Sequence, residues 1–342
     1  MIGNTRPSFV TPLLLASGLL FSTASLSAPQ VTEIQGEIKL GGQLTIQGSG
    51  FGDLDPNYRN LWDTVDNQSA FADMSHGTTI PESEGPWTRN GSPWANPITI
   101  AKQSGHRHPG SSAHYMGKEK AFLGVPRAFD NNTNRNIYVS WWFYASYDID
   151  RYSGHNKLIR IWDDLDGTKT RISWTQVLLG AYGDTNWGGW GGVDGAWNRL
   201  EVFANADEGT IDVWTNGKPV HSVTNYQKES SPDGMTIWLI GFDPNYDDYT
   251  DLEIRMDDIF VSSSPARVEL STSPTWNDAG SKREIQPFSS WSSSRIEVDI
   301  NLGQFSTQDN LYVYIVDPNG NVNSEGYSIC PQCPKSPSLE LN

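Results

Sequence analysis

The chain has 342 residues, with 14 Trp, 32 Gly, 20 Pro and only 19% charged residues. That length allows two ordinary domains, and a chain this rich in aromatics is not a disordered one. The formal net charge is −16, and of the 24 Lys and Arg only Arg6 falls within the first 28 residues. Such an acidic surface excludes a nucleic-acid partner, which requires cations against the phosphates, and it disfavours a strongly anionic polymer.

The N-terminus reads as a targeting segment. Arg6 supplies the positive charge, and "PLLLASGLLFSTASLSA" (12–28) is apolar and ends in small residues, as a secretory signal does. It is too short and too rich in Ser to span a bilayer, so no membrane insertion is expected. We assign 1–28 as a signal peptide of a secreted protein, extracellular or periplasmic. Pro29 is a poor residue after the cut, which leaves cleavage at Ala28 or one or two residues earlier.

Strand signals then recur down the chain, with no amphipathic helix between them. "GGQLTIQGSGFGD" (41–53) opens a small β-sandwich. "NIYVSWWFYAS" (136–146), "KLIRIW" (157–162), "WNRLEVFA" (197–204), "GTIDVWTNGKPV" (209–220), "MTIWLIGF" (235–242) and "LEIRMDDIFVSS" (252–263) are short, β-branched, aromatic and bounded by turn residues. Residues 197–204 and 209–220 predict one hairpin across "NADEG", and Asn216-Gly217 predicts a second turn, since both its central residues need positive φ. Three further β segments follow: "ARVELSTSP" (266–274), "REIQPFSSWSSSRIEVDINLG" (283–303) and "DNLYVYIVDPNGNVNSEGYSI" (309–329), with a turn at "DPNG". The fold class is all-β.

Two sets of motifs carry a resemblance to known families. "GGQLTIQGSGFG", together with "WSSSRIEV" and "YVYIVDPNGNVNSEGY", resembles an immunoglobulin-like IPT/TIG domain. The likeness implies that 29–53 and 266–329 are two parts of one sandwich, interrupted by an insertion at a loop tip, which a domain tolerates where its ends lie close together. The insertion, 54–265, resembles a concanavalin A-like jelly roll of the lectin and glucanase type, laminin-G-like and polysaccharide-lyase-like, on "NIYVSWWFYAS", "HNKLIRIW", "WNRLEVFANADEGTIDVWTNGKPV" and "LEIRMDDIFV". Residues 330–342 form a tail.

Four groups of residues could carry chemistry. Indole rings stack on the C–H faces of sugars, so the tryptophans of the insertion, Trp141, Trp142, Trp162, Trp174, Trp187, Trp190, Trp197, Trp214 and Trp238, form a candidate set. Of these, Trp142 and Trp174 on strands, and Trp187 and Trp190 in the Gly-rich "YGDTNWGGWGG" (182–192), are the candidate carbohydrate-binding residues. Core packing is the competing role for each. A basic, His-rich run gathers His106, His108, His114 and Tyr115, followed by Arg127, His155, Lys157 and Arg160. Elimination at a uronate needs a cation for the carboxylate, a base for the C5 proton and a donor for the leaving oxygen, and this set contains those types. The alginate-lyase patterns R-x-E-x-R, Q-I-H and Y-x-K-x-G-x-Y are absent, and surface histidines are the plainer reading. Glycoside hydrolysis is disfavoured: no E-x-D-x-E run exists, and Arg255 follows Asp251 and Glu253 in phase. Asp257 and Asp258, beside the acidic 243–251, are candidate ligands for a structural calcium ion, which is the cofactor expected here. Cys330 and Cys333 ("CPQC") are read as a local disulfide.

The resulting expectation is a secreted protein that binds an extracellular polysaccharide. The alternatives are a polysaccharide lyase acting on a uronate polymer, and a non-catalytic surface or matrix protein. The oligomeric state is left open.

Overall fold

The computed structural model describes residues 28–91, 94–131, 133–152, 156–163, 170–173, 176–179, 184–187, 189–228, 233–244 and 248–329, with backbone alone for 170–173, 176–179 and 184–187. The signal segment up to residue 27, His155, Trp174, Cys330 and Cys333 lie outside the described residues, as does the side chain of Trp187.

The chain is all-β, and its strands form two sandwiches. In the smaller one, a sheet runs in the order Gln30–Gly36, Gln43–Ser49, Arg295–Asp299, Phe288–Trp291, and faces a sheet ordered Arg283–Gln286, Arg267–Ser271, Tyr312–Val316, Tyr327–Ser328. The alternation in "SRIEVDI" has a direct result: Ile296, Val298 and Ile300 point inward onto Leu44, Ile46, Val268, Leu270, Val313 and Ile315. Thus the second strand of the chain pairs with one from the far end of the sequence, Ile46 opposite Ile296 and Leu44 opposite Val298. At the expected "DPNG" turn, Gly320 N–H donates to Asp317 O at 3.0 Å and Gly320 takes φ 82°.

The larger sandwich holds the residues between. One sheet, here the junction sheet, runs Lys218–Val223, Thr210–Thr215, Trp197–Asn205, Asn136–Ala145, Glu253–Ser262, His114–Lys118, Thr99–Ala101, with Asn60–Asp63 also on Glu253–Ser262. The other, the distal sheet, runs Asp184–Trp187, Gln176–Leu179, Thr170–Ser173, Lys157–Trp162, Thr236–Asp243, Ala121–Leu123, Asn96–Pro97. The chain enters and leaves this sandwich on neighbouring strands, with Asn60 opposite Ser262 and Leu61 opposite Val261. The two predicted turns form: Trp197–Asn205 pairs with Thr210–Thr215, and Asn216 and Gly217 take φ 52° and 75°.

Period-2 alternation sorts the junction sheet. Ile137, Val139, Trp141 and Phe143 enter the core between the sheets, with Leu200, Val202, Ile237, Ile240 and Phe242. Each such residue contributes about 1.5–3 kcal/mol on burial. Tyr138, Ser140 and Trp142 point to the other side, and the smaller sandwich covers them. Tyr138, Phe260 and Ile285 form a small apolar contact there, flanked by Trp62 and Phe203.

Beside it lies a buried ionic network that joins the sandwiches. Arg199 holds Glu269 with both Nη atoms at 2.7 and 3.0 Å, and Arg283 Nη2 reaches Glu201 Oε2 at 2.7 Å. Arg267 donates to Glu269 Oε1 at 2.5 Å, and the Tyr138 hydroxyl donates to Glu201 Oε1 at 2.7 Å. Arg199 and Glu269 are essentially inaccessible. The guanidinium groups hold Glu201 and Glu269 below the usual carboxylate range despite burial.

Candidate functional site

The described residues of the basic, His-rich run fall in four places. His106, His108 and His114 lie at the junction-sheet end of the larger sandwich. His106 and His114 bring their Nδ1 atoms to 3.1 Å, and the His114 ring meets Trp197 edge-on at 6.0 Å. Burial holds His114 down at about 3, so both faces of this pair are neutral imidazoles near pH 7. Tyr115, its neighbour, points the other way into the core. Its hydroxyl donates to Asp63 Oδ2 at 2.6 Å, where the Trp87 indole N–H also donates at 2.6 Å. With no accessible surface and a pKa pushed well up by burial, Tyr115 is a core residue and not an acid or base for a substrate. Arg127 sits elsewhere, and its guanidinium is spent on the carbonyls of Glu82, Gly85 and Trp87.

Lys157 and Arg160 are on the distal sheet, across the core from the histidines. The strands that carry the two parts of the basic run go to opposite layers, so among the described residues the expected elimination set does not come together.

Trp142 is corrected as well. It is in phase with Tyr138 on the covered side, 7% exposed, and Arg107 lies over its ring at 4.5 Å. Arg107 in turn pairs with Asp258 and, at 2.8 and 2.9 Å, with Glu284 of the smaller sandwich. Trp190 is 3% exposed and packs edge-on against Phe143 at 6.2 Å, inside the core. Asp258 occupies a bulge in its strand, with φ 46°; its Oδ2 pairs with Arg107, and its buried Oδ1 has no hydrogen-bond partner. Asp257 takes the Ser111 hydroxyl at 3.1 Å, and burial raises its pKa well above the usual range. Among the described residues no three His, Cys, Asp or Glu side chains converge as metal ligands.

What the structure does assemble is an aromatic and charged patch on the outward face of the distal sheet. In Lys157–Trp162, Ile159 and Ile161 face the core, which sends Arg160 and Trp162 outward. Trp238, on the adjacent strand, stacks on Trp162 with ring centroids 4.2 Å apart and planes 22° off parallel. Arg89 caps the pair, its Cζ 4.2 Å from the Trp238 ring. Arg89 is exposed and holds φ 61°, a conformation a non-glycine residue adopts only at a cost. Gly124 permits that turn, since a Cβ there would collide with the carbonyl oxygens of Thr88 and Arg89.

Next to the indoles lies a charged row. Arg160 Nη2 donates to Asp243 Oδ2 at 2.7 Å, Lys120 Nζ is 3.1 Å from Oδ1, and Lys157 Nζ is 3.9 Å from Oδ2. Asp243 thereby fixes three flexible cations on one face. Trp94 closes the row, 5.7 Å from Arg160 and 5.4 Å from Phe122.

Sequence reading missed Arg89, Trp94 and Lys120 and took Asp243 only as the start of an acidic stretch; the four converge only through the fold. Trp162 and Trp238 had a usable signal. In "KLIRIW", Trp162 alternates with Arg160 against two isoleucines, and this phase places both on one face.

No protein-family model matches the sequence, and no curated protein matches it. Solved structures of low identity and low TM-score are similar to parts of it. Domain 4 of a GH43 extracellular arabinanase from Geobacillus stearothermophilus, in complex with arabinotriose, is 15% identical over 69% of this chain and 93% of that one, with a TM-score of 0.32. A GH131 β-glucanase catalytic domain from Podospora anserina is 15% identical over 59% and 95%, with a TM-score of 0.33. An alginate lyase of polysaccharide lyase family 7 is 12% identical over 60% and 93%, with a TM-score of 0.31. Among the described residues no helix is long and apolar enough to cross a membrane.

Proposed function

We propose that this is a secreted polysaccharide-binding protein whose ligand lies along the outward face of the distal sheet. The observation that carries the reading is the Trp162–Trp238 stack capped by Arg89 and bordered by Lys120, Lys157, Arg160 and Trp94. A sugar ring would stack on the Trp238 indole, while the cations and Asp243 would meet hydroxyl or carboxylate oxygens. Binding without cleavage is favoured, because the residues expected to perform elimination are divided between two layers and Tyr115 is buried. Secretion rests on the N-terminal segment.

In this reading the binding module is the insertion 54–265, and its carrier is a split IPT/TIG-like domain, 29–53 plus 266–329. The pairing of Gln43–Ser49 with Arg295–Asp299 and the adjacency of Asn60 and Ser262 support the division.

Affinity electrophoresis of the mature protein against neutral and uronate polymers tests the proposal, with each polymer checked afterwards for unsaturated products. Retardation that Trp238→Ala abolishes, without products, supports it. Cleavage would replace it with the lyase reading. Absence of retardation on every polymer would leave a matrix protein.

A further inference from the structure

A cavity of about 380 Å³ lies between the two sandwiches, on the covered side of the junction sheet. That is at the lower end of the range for small-molecule sites, about 300–1,000 Å³, and domain boundaries are where such sites concentrate. One wall is the hairpin strand Thr210–Thr215, whose alternation turns Asp212 and Trp214 to this side, opposite Phe203 and Glu201. Trp276 and Asn319 of the smaller sandwich form the other wall.

The floor and the walls differ in what they have left to offer. On the floor, the Arg283 guanidinium is engaged by Gly280 O, Glu269 and Glu201, and that of Arg267 by Glu269, Pro265 O and Glu201. The face of Trp276 is taken by Arg283, 4.3 Å from its centroid. On the opposite wall, half-buried Asp212 accepts from Ser222 with Oδ1 alone and its Oδ2 has no hydrogen bond within the described residues, while Glu208 stands exposed at the rim with no side-chain partner there. The half-exposed Trp214 indole likewise stacks on no other ring or cation there.

We propose that this cleft is a second ligand site, chemically distinct from the distal face, and that it takes one uncharged sugar unit. An unstacked indole offers a surface for the C–H face of the ring. Two carboxylates with open lone pairs accept from hydroxyl groups in pairs, and Asn319 adds an amide. A uronate would meet those carboxylates with no guanidinium free to offset the repulsion. The proposal does not depend on polymer binding at the distal face.

Tryptophan fluorescence and calorimetric titration of the full mature chain would test it, using the methyl glycosides of glucose, galactose, mannose and arabinose, with glucuronate and choline as comparators. We expect saturable binding of at least one neutral glycoside, and at least tenfold weaker binding of glucuronate. Trp214→Leu and Asp212→Asn should each weaken it about tenfold or more, Glu208→Gln should weaken it less, and Trp238→Ala should leave it unchanged. Absence of saturation by every neutral glycoside would overturn the proposal. So would loss of the signal in Trp238→Ala, indifference to both Trp214→Leu and Asp212→Asn, or choline binding tighter than any sugar.

Discussion

The two sheets of the larger sandwich have the same kind of sequence and opposite fates. Each alternates core residues with aromatic and charged ones on its outer side. On the junction sheet that outer side carries Tyr138, Trp142, Arg199 and Glu201, and a second sandwich buries it. On the distal sheet it carries Arg160, Trp162, Trp238 and Asp243; among the described residues no further sheet packs on it, Trp162 and Asp243 are buried, and Trp238 is half-exposed. Aromatic and ionic side chains thus act as an internal joint on one face and as a candidate ligand surface on the other. What separates them is saturation. The joint pairs Arg199, Arg267 and Arg283 with Glu201 and Glu269 in a closed network. On the distal face an exposed, strained arginine lies on a half-exposed indole.

That contrast can be broken from the joint side with the largest effect. Arg199→Met leaves Glu201 and Glu269 buried with less compensation, and should cost about 3–5 kcal/mol in urea unfolding. Retention on polysaccharide by the folded fraction should not change. A loss below 1 kcal/mol would show that the sandwiches are held by their apolar contacts instead.

On the distal face the order reverses. Trp238→Ala should weaken polymer binding by about 10–100-fold, equivalent to about 1.4–2.8 kcal/mol, with a much smaller change in melting temperature. Equal losses of stability and binding would mean that the Trp162–Trp238 stack is packing and nothing more. Arg89→Gly sharpens this further. Glycine relieves a positive-φ cost of about 1 kcal/mol or more, so the variant should be as stable as the parent, or more so, while binding falls several-fold.

The smallest expected effect concerns pH. His114 titrates at about 3 in the folded chain and near 6.5 when unfolded. The unfolded state therefore binds the extra proton between those values, and the contribution to stability, full above pH 6.5, is lost as pH falls towards 3. His114→Gln should reduce the drop in melting temperature between pH 7 and pH 4.5. An unchanged slope would show that His114 carries none of the acid sensitivity in that window; the Glu201 and Glu269 carboxylates lose their share only as pH falls below about 4.5.

By itself the sequence determined the all-β class, the hairpin across 205–209, the turns at Asn216-Gly217 and "DPNG", and which residues of a strand share a face. These are local matters, set by side-chain alternation and by the few residues that accept positive φ. Only the tertiary structure decided which outer face the second sandwich docks on. Alternation places Trp142 and Trp162 equally outside their sheets, and nothing within either strand records that a second sandwich docks on one of them. The same holds for the basic run: 104–118 and 152–160 are near neighbours in the chain, but His114 and Lys157 stand on strands of different layers. Arg89, Trp94, Lys120 and Asp243 meet at one patch because separate strands and loops converge there, and such long-range convergence has no local signature.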